Sequence, residues 1–375
     1  MAAQNVIYRP KKIVNVHKHV DGGWFWNKYS AHPYVGCEYG CEYCYWRDEK
    51  YNILAKEKNA KDLDDPFSQY IKIKENAPEL LRRELSRLPK DIICTGDYQP
   101  VESKFRLSRE MLKVCLDREF PVLINEKSPL VLRDLDLIKE IAAKTWACVL
   151  WSISNYKSEG YFNIFEPRLP TIESRFKAMK KVADAGVYTG TAFMPILPFI
   201  SDSYGNLGAV VRKTAENGGG FVLAGSLTMN GAQADRYLRV LHRHYPHLVS
   251  MYKSLYDGGY TPKCEYFGKI GKKVKELCDK YGITDRMKRY VQPGTHVVNK
   301  RIAEELFLET YRLQLDCVNK YKIWNYRKAA WAVDEYEKDI KELYENRGLA
   351  GLKTISGVGE KIAGKIEDEL RKHLI

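Results

Sequence analysis

Residues 32–46 read HPYVGCEYGCEYCYW and place Cys37, Cys41 and Cys44 inside eight positions. These are three of nine cysteines in a chain of 375 residues. Nine is an odd count, the spacing is irregular, and the N-terminus lacks the apolar run of a signal peptide. A soluble, cytoplasmic protein is therefore expected, with clustered thiols that bind metal or do chemistry rather than a disulfide framework. Zinc would want four closing ligands, usually in paired C-x2-C spacings, and no fourth cysteine or histidine follows close behind. An iron–sulfur cube accounts for the number three. Three thiolates can hold three irons of a 4Fe-4S cluster, which leaves the fourth iron to a ligand that is not protein.

Such a loop needs a scaffold. "DIICTGD" (91–97), "PVLINEKS" (121–128), "WACVLWSIS" (146–154), "VYTGTAFMPILP" (187–198) and "GGFVLAGSLTM" (219–229) read as strands buried on both faces. Between them, "PELLRRELSRL" puts Leu80, Leu81, Leu85 and Leu88 on one side of a helix. "TIESRFKAMKKVADAG" runs from an N-cap at Thr171 to a C′ glycine at Gly186. The alternation predicts a parallel sheet, open or curled into a partial barrel. Residues 1–30 show no clear periodicity and read as an N-terminal arm. From about residue 231 to 347 the pattern is mainly helical and charged, with two long helices expected over 302–346. The net charge of +13 suits a polyanionic partner, and no stretch approaches the roughly 20 apolar residues of a membrane span.

In a parallel α/β fold the ligand lies at the C-terminal ends of the strands. Those ends carry Asp97 and Glu102, Lys127 and Ser128, Ser152 and Ser154, then Glu166 and Arg168. A zwitterionic ligand needs a cation for its carboxylate and an acceptor for its ammonium, and Lys127, Asp97, Ser152, Ser154 and Arg168 supply these types. An ordinary loop or salt-bridge role is the alternative for each.

The cysteine spacing C-x3-C-x-aromatic-C, with Tyr43 as the aromatic, resembles the signature of the radical S-adenosylmethionine (SAM) superfamily. Over residues 31–230 the motifs "HPYVGCEYGCEYCYW", "DYQPVE", "EKSPLVLRDLDLI" and "FEPRLPTIESRFKAM" are similar to those of the spore photoproduct lyase branch. The resemblance implies a partial (β/α)6 TIM-type barrel. It implies a 4Fe-4S cluster on Cys37, Cys41 and Cys44, and SAM cleaved to a 5′-deoxyadenosyl radical. An electron donor such as flavodoxin or ferredoxin would supply the reducing electron. It further implies that Cys94 returns a hydrogen atom to the product radical, that Tyr45 and its neighbour Tyr43 relay it, and that Lys127 and Ser152 contact SAM. Read without the resemblance, Cys94 is a small core residue of a strand.

The tail "LAGLKTISGVGEKIAGKIEDELRKHL" resembles a helix-hairpin-helix motif over residues 348–375. Gly357, Val358 and Gly359 would bring backbone N–H groups up to a DNA phosphate, and Lys361 and Lys365 would reach its neighbours. A hairpin that only packs is the alternative. Such a tail departs from the lyase pattern. Three functions follow. One is a radical SAM enzyme acting on DNA, reversing a UV pyrimidine lesion or similar modification. Another is a radical SAM enzyme acting on RNA, protein or a small molecule. The third is a metal-stabilised nucleic-acid-binding protein without catalysis.

Overall fold

A computed structural model describes residues 3–374 except 21, 23, 49, 52, 53, 55, 56, 61, 158 and 159. The chain divides into two compact units. One comprises Met1–Val16 with Tyr29–Asp285, the other His17–Lys28 with Arg286–Ile375.

In the first unit the strands are β1 (Gln4–Tyr8), β2 (Asn15–Val16), β3 (Tyr29–Ala31), β4 (Tyr34–Val35), β5 (Tyr70–Lys74), β6 (Ile93–Thr95), β7 (Val122–Glu126), β8 (Ala147–Ser152), β9 (Tyr188–Ile196) and β10 (Val222–Ser226). Seven form one sheet in the order β10-β9-β8-β7-β6-β3-β2. Every pair from β3 to β10 is parallel, and β2 joins the edge antiparallel. Six parallel strands with helical crossovers therefore form an open (β/α)6 sheet whose ends do not meet. The five strands expected from residue 91 onward all form, each inside its expected segment.

β3 is only three residues long and carries no readable period. The segment read as an arm contributes β1, which runs parallel to β5, while β4 flanks β5 antiparallel in a separate small sheet. The crossover helices bury amphipathic stripes: α1 (Ala77–Leu85), α2 (Leu107–Arg118), α3 (Leu135–Lys144), α4 (Ile172–Asp184) and α5 (Tyr204–Glu216). On α4, Thr171 caps by accepting from the Ser174 N–H at 3.3 Å, and Gly186 has φ +78°. After β10 follow α6 (Gly231–His244), α7 (Val249–Tyr256) and α8 (Cys264–Tyr281).

Side chains alternate across each strand. Ile93, Val122, Ile124, Val149, Trp151, Phe193 and Val222 join one large core together with the helices. Their neighbours Cys94, Asn125, Ser152, Ala192 and Met194 point to the other face. Asn125 is exposed although β7 is a central strand. That face is therefore open to solvent near the strand ends.

The second unit holds α9 (Val297–Leu315), α10 (Lys320–Asp334), α11 (Ile340–Leu352) and α12 (Glu360–Leu374). Three helices thus cover 302–346, where two were expected. Cys317 at φ +51° turns the chain, and Asn319 restarts it by accepting from the Tyr321 N–H at 2.8 Å. Asp339 does the same for Lys341 at 2.7 Å. Gly348 (φ +56°, ψ −151°) breaks α11, so its last turn belongs with the hairpin that follows.

Ile124 is fully buried between sheet and helices. Ile124→Ala is expected to destabilise the first unit by about 2–5 kcal/mol, read as a lower urea midpoint with unchanged slope.

Candidate active site at the cysteine loop

The three cysteines lie on the loop that leaves β4, and its conformation is steeply constrained. Gly36 has φ +88°, and a Cβ there would meet the Tyr70 and Phe67 carbonyl oxygens at 2.8 and 2.9 Å. Gly40 has φ +57°, and a Cβ there would strike the Arg168 guanidinium. The loop's own turns are Gly40 N–H to Cys37 O at 3.1 Å and Cys44 N–H to Cys41 O at 3.3 Å. Arg47 is buried and clamps the loop from within. It donates to the Cys41 and Gly40 carbonyls, both at 2.8 Å, and to Asp65 at 2.6 and 3.0 Å.

The loop after β6 holds the other side. The Glu38 N–H donates to Gln99 Oε1 at 2.9 Å, Gln99 donates to the Gly36 carbonyl at 3.1 Å, and the Val101 N–H donates to Glu38 at 2.5 Å. From α6, Arg236 grips Glu42 at 2.6 and 2.9 Å, and Gln233 donates to the Tyr43 carbonyl at 3.3 Å.

Beneath the loop lies a buried charge knot. Glu166 pairs with Arg175 at 2.7 Å and with Lys127 at 3.1 Å, and accepts from the Tyr43 hydroxyl. Lys127 also donates to the Tyr43 oxygen at 3.0 Å. Burial alone would push the Glu166 carboxyl up, but Lys127 and Arg175 outweigh it and hold it down at about 2. Two cations face one carboxylate, so the knot carries one surplus positive charge. Glu126, at the end of β7, has the opposite fate. Burial pushes it up to about 7, although the backbone N–H groups of Tyr98 and Lys127 donate to it at 2.8 and 3.0 Å.

Burial likewise pushes the Cys37, Cys41 and Cys44 thiols up, Cys41 to about 12. Bound cationic iron would have to hold them as thiolates. Among the described residues no group of three or more His, Cys, Asp or Glu side chains is placed to hold a metal ion.

Cys94, on β6, lies on the open face and is half-buried. Tyr45 begins the short 3-10 helix after Cys44 and is 49% exposed. Its hydroxyl is pushed up, first by burial and then by Cys44 and Cys94. Ser152 and Ser154 both donate to the Met194 carbonyl, at 3.3 and 3.2 Å. Asp97 is half-buried beside Gln99, with its carboxyl pushed well up by burial and by Glu126. Arg168 donates to Ser68 at 2.8 Å, near Asp65 at 3.9 Å, and lies over Gly40.

Glu126, Asn125, Arg175 and Arg47 escaped the sequence reading. Glu126 sat in view inside "NEKSPL". Arg175 reads as the polar side of α4, and nothing in the sequence distinguishes a buried arginine from a solvated one.

In the second unit, Gly357 has φ +77° and the Ile362 and Ala363 N–H groups donate to the Gly359 carbonyl at 3.1 and 2.9 Å. Leu352, Ile355, Val358, Ala363 and Ile366 are buried. Lys361 is exposed and has no ion-pair partner among the described residues, whereas Lys365 pairs with Glu309 at 2.9 Å. Lys353 pairs with Glu360 at 2.7 Å.

A helix-hairpin-helix domain family matches residues 299–375. An uncharacterized protein of Methanocaldococcus jannaschii is 31% identical over 176 residues, 47% of this chain and 62% of that protein. An uncharacterized protein of Mycobacterium tuberculosis is 27% identical over 261 residues, 68% of this chain and 74% of that one. Among solved structures, a point mutant of spore photoproduct lyase aligns with a TM-score of 0.53 at 16% identity, covering 74% of this chain and 79% of that one. A second lyase variant, with bound AdoMet and dinucleoside spore photoproduct, aligns over the same shares at 0.52 and 15% identity. The fold is thus shared with that lyase. Among the described residues no helix is long and apolar enough to cross a membrane.

Glu126 supplies a pH test. Its folded value of about 7 lies above the ordinary 4.5, so stability is present below about 4.5 and is lost as pH rises through about 7. Between about pH 5 and about pH 8 the melting temperature should fall less in Glu126→Gln than in the parent protein. Asp97 acts in the same sense and loses the push from Glu126 in the variant, which adds to the difference. Glu166 loses its contribution only as pH falls from about 4.5 towards about 2, outside that range.

Proposed function

We propose that the chain is a radical SAM enzyme acting on DNA, of the spore photoproduct lyase type, reversing a UV pyrimidine lesion. The observation that carries this reading is the position of Cys37, Cys41 and Cys44. They share one loop at the C-terminal side of a six-stranded parallel sheet, with Tyr45 directly after Cys44 and Cys94 on the open face of β6.

When bound, a 4Fe-4S cluster and SAM would supply reductive cleavage of SAM and a 5′-deoxyadenosyl radical that abstracts hydrogen, with a flavodoxin or ferredoxin as donor. The protein's part is to hold and to exclude. Cys37, Cys41 and Cys44 would hold three irons. The surplus positive charge of the knot at Lys127 suits the carboxylate of SAM, and Asp97 suits its ammonium. Ser152, Ser154 and Arg168 would complete the contacts. Cys94, on the open face, would give a hydrogen atom to the product radical, and Tyr45, one residue from the loop's last cysteine, would return the vacancy to SAM, with Tyr43 anchoring the loop beneath. A hairpin at Gly357, Val358 and Gly359, with Lys361 and Lys365, would hold duplex phosphates. Damage lowers the cost of extruding a base, a few kcal/mol in intact DNA.

Mass spectrometry of an anaerobic reaction tests the reading, with reconstituted protein, SAM and dithionite. The arms contain no DNA, intact DNA or UV-irradiated DNA. Repaired thymine pairs, or 5′-deoxyadenosine formed chiefly with irradiated DNA, are expected. Equal SAM cleavage in all three arms would move the substrate to RNA, protein or a small molecule. Cys41→Ala should lose the brown colour and all SAM cleavage. Cys94→Ala should keep SAM cleavage but misdirect the product radical, and normal product from it would remove Cys94 from the mechanism.

A further inference from the structure

Tyr321 and Trp324 on α10 are 69% and 48% exposed, well above what large aromatics show when they only fill a core. They are three residues apart, so they share one helix face. The opposite face of α10 is conventional: Tyr326, Ala329, Ala330 and Val333 are buried.

The stretch of α10 that carries the two rings has one sign of charge. Between Asp316 and Asp334 the sequence contains Lys320, Lys322, Arg327 and Lys328 and no acidic residue. The Lys320 ammonium lies 5.5 Å from the Tyr321 ring, and the Arg327 guanidinium 5.5 Å from the Trp324 ring. Behind them Trp331 supports Trp324 at 6.2 Å and is itself stacked on His19 at 4.6 Å. Trp324 is thus held on a rigid base with one flank exposed.

This face adjoins the hairpin. A Cβ on Gly357 would lie 3.5–3.7 Å from the backbone of Lys328 and Ala329, so the hairpin turn rests on the same helix about one turn further along. A hairpin aims backbone amides at phosphates and has no use for flat rings. Exposed rings flanked by cations, with the Glu335 carboxylate engaged by His19 at 2.9 Å behind Trp331, suit a partner that offers both π-faces and negative charge.

We infer that the Tyr321–Trp324 face of α10 binds single-stranded nucleic acid by stacking, next to a duplex held at the hairpin. The second unit then prefers a junction, where duplex gives way to unpaired bases, over a blunt duplex. The inference rests on the hairpin reading of the tail for its duplex arm only, and not on the cluster chemistry.

The test is fluorescence anisotropy of the full chain with labelled oligo(dT), a blunt duplex and the same duplex with a single-stranded overhang. The variants are Trp324→Ala, Trp324→Phe and Lys361→Glu. Because Trp324 is about half exposed, its loss should leave the fold intact, with a small fall in melting temperature that Trp324→Phe largely restores. Trp324→Ala is expected to weaken oligo(dT) and overhang binding roughly 5- to 100-fold, the range for loss of one stacked base, and to leave the blunt duplex unaffected. Trp324→Phe should retain most of the binding. Lys361→Glu should weaken the duplex arm alone.

Unchanged oligo(dT) binding in Trp324→Ala overturns the inference. So does equal competition by polyglutamate and oligo(dT), because charge without stacking would then suffice. If Lys361→Glu leaves duplex binding intact while the Trp324 effect persists, the hairpin reading falls and the stacking face stands.

Discussion

A buried carboxylate that stays ionised needs its charge met on the spot. Glu166 is met twice, by Lys127 from the end of β7 and by Arg175 from α4, and Tyr43 of the cysteine loop joins them through its hydroxyl. Three separate stretches of chain converge because none of their polar ends can be left alone in a dry interior. Removing Glu166 would strand Arg175 and Lys127, at a cost of about 3–5 kcal/mol. The knot therefore does for the loop what packing does for the core: it permits one arrangement.

The rest of the loop's restraint is distributed. Arg47 binds it to Asp65, Gln99 and Glu38 bind it to the loop after β6, and Arg236 binds it to α6. Each tie is a charged or amide group satisfied by backbone or by an opposite charge, so the loop has its shape before any ligand arrives. Preorganisation of this kind places the ordering cost in folding instead of in binding.

Much of this was legible in the sequence, and the reason differs by feature. β7, β8, β9 and β10 are long apolar runs between turn signals, so their existence was readable, and Thr171 and Gly186 marked the ends of α4 through their chemistry as caps. The grouping of the three cysteines on one loop was readable because they fall within eight positions. β3 was not, because three residues hold no period. The break at Cys317–Asn319 was missed because its signal is one backbone angle and one Asn side chain. Arg175 and Arg47 were missed because burial of a charge depends on partners far away in sequence, and composition does not report partners. Asn125 looked like an interior strand residue, and only the openness of one sheet face made it exposed.

That openness has a consequence for how such a scaffold can diversify. One face of the sheet is filled by Ile93, Ile124, Val149, Trp151 and Phe193, interlocked with helices, where a change of one methylene is felt. The other face, near the strand ends, carries Cys94, Asn125 and Ser152, small side chains that are half-buried or exposed. Size on that second face is decoupled from the integrity of the first. Side chains on that face can be enlarged or reduced one at a time without the helices registering it, so this architecture can trade one guest for another while the frame and the cysteine loop stay as they are.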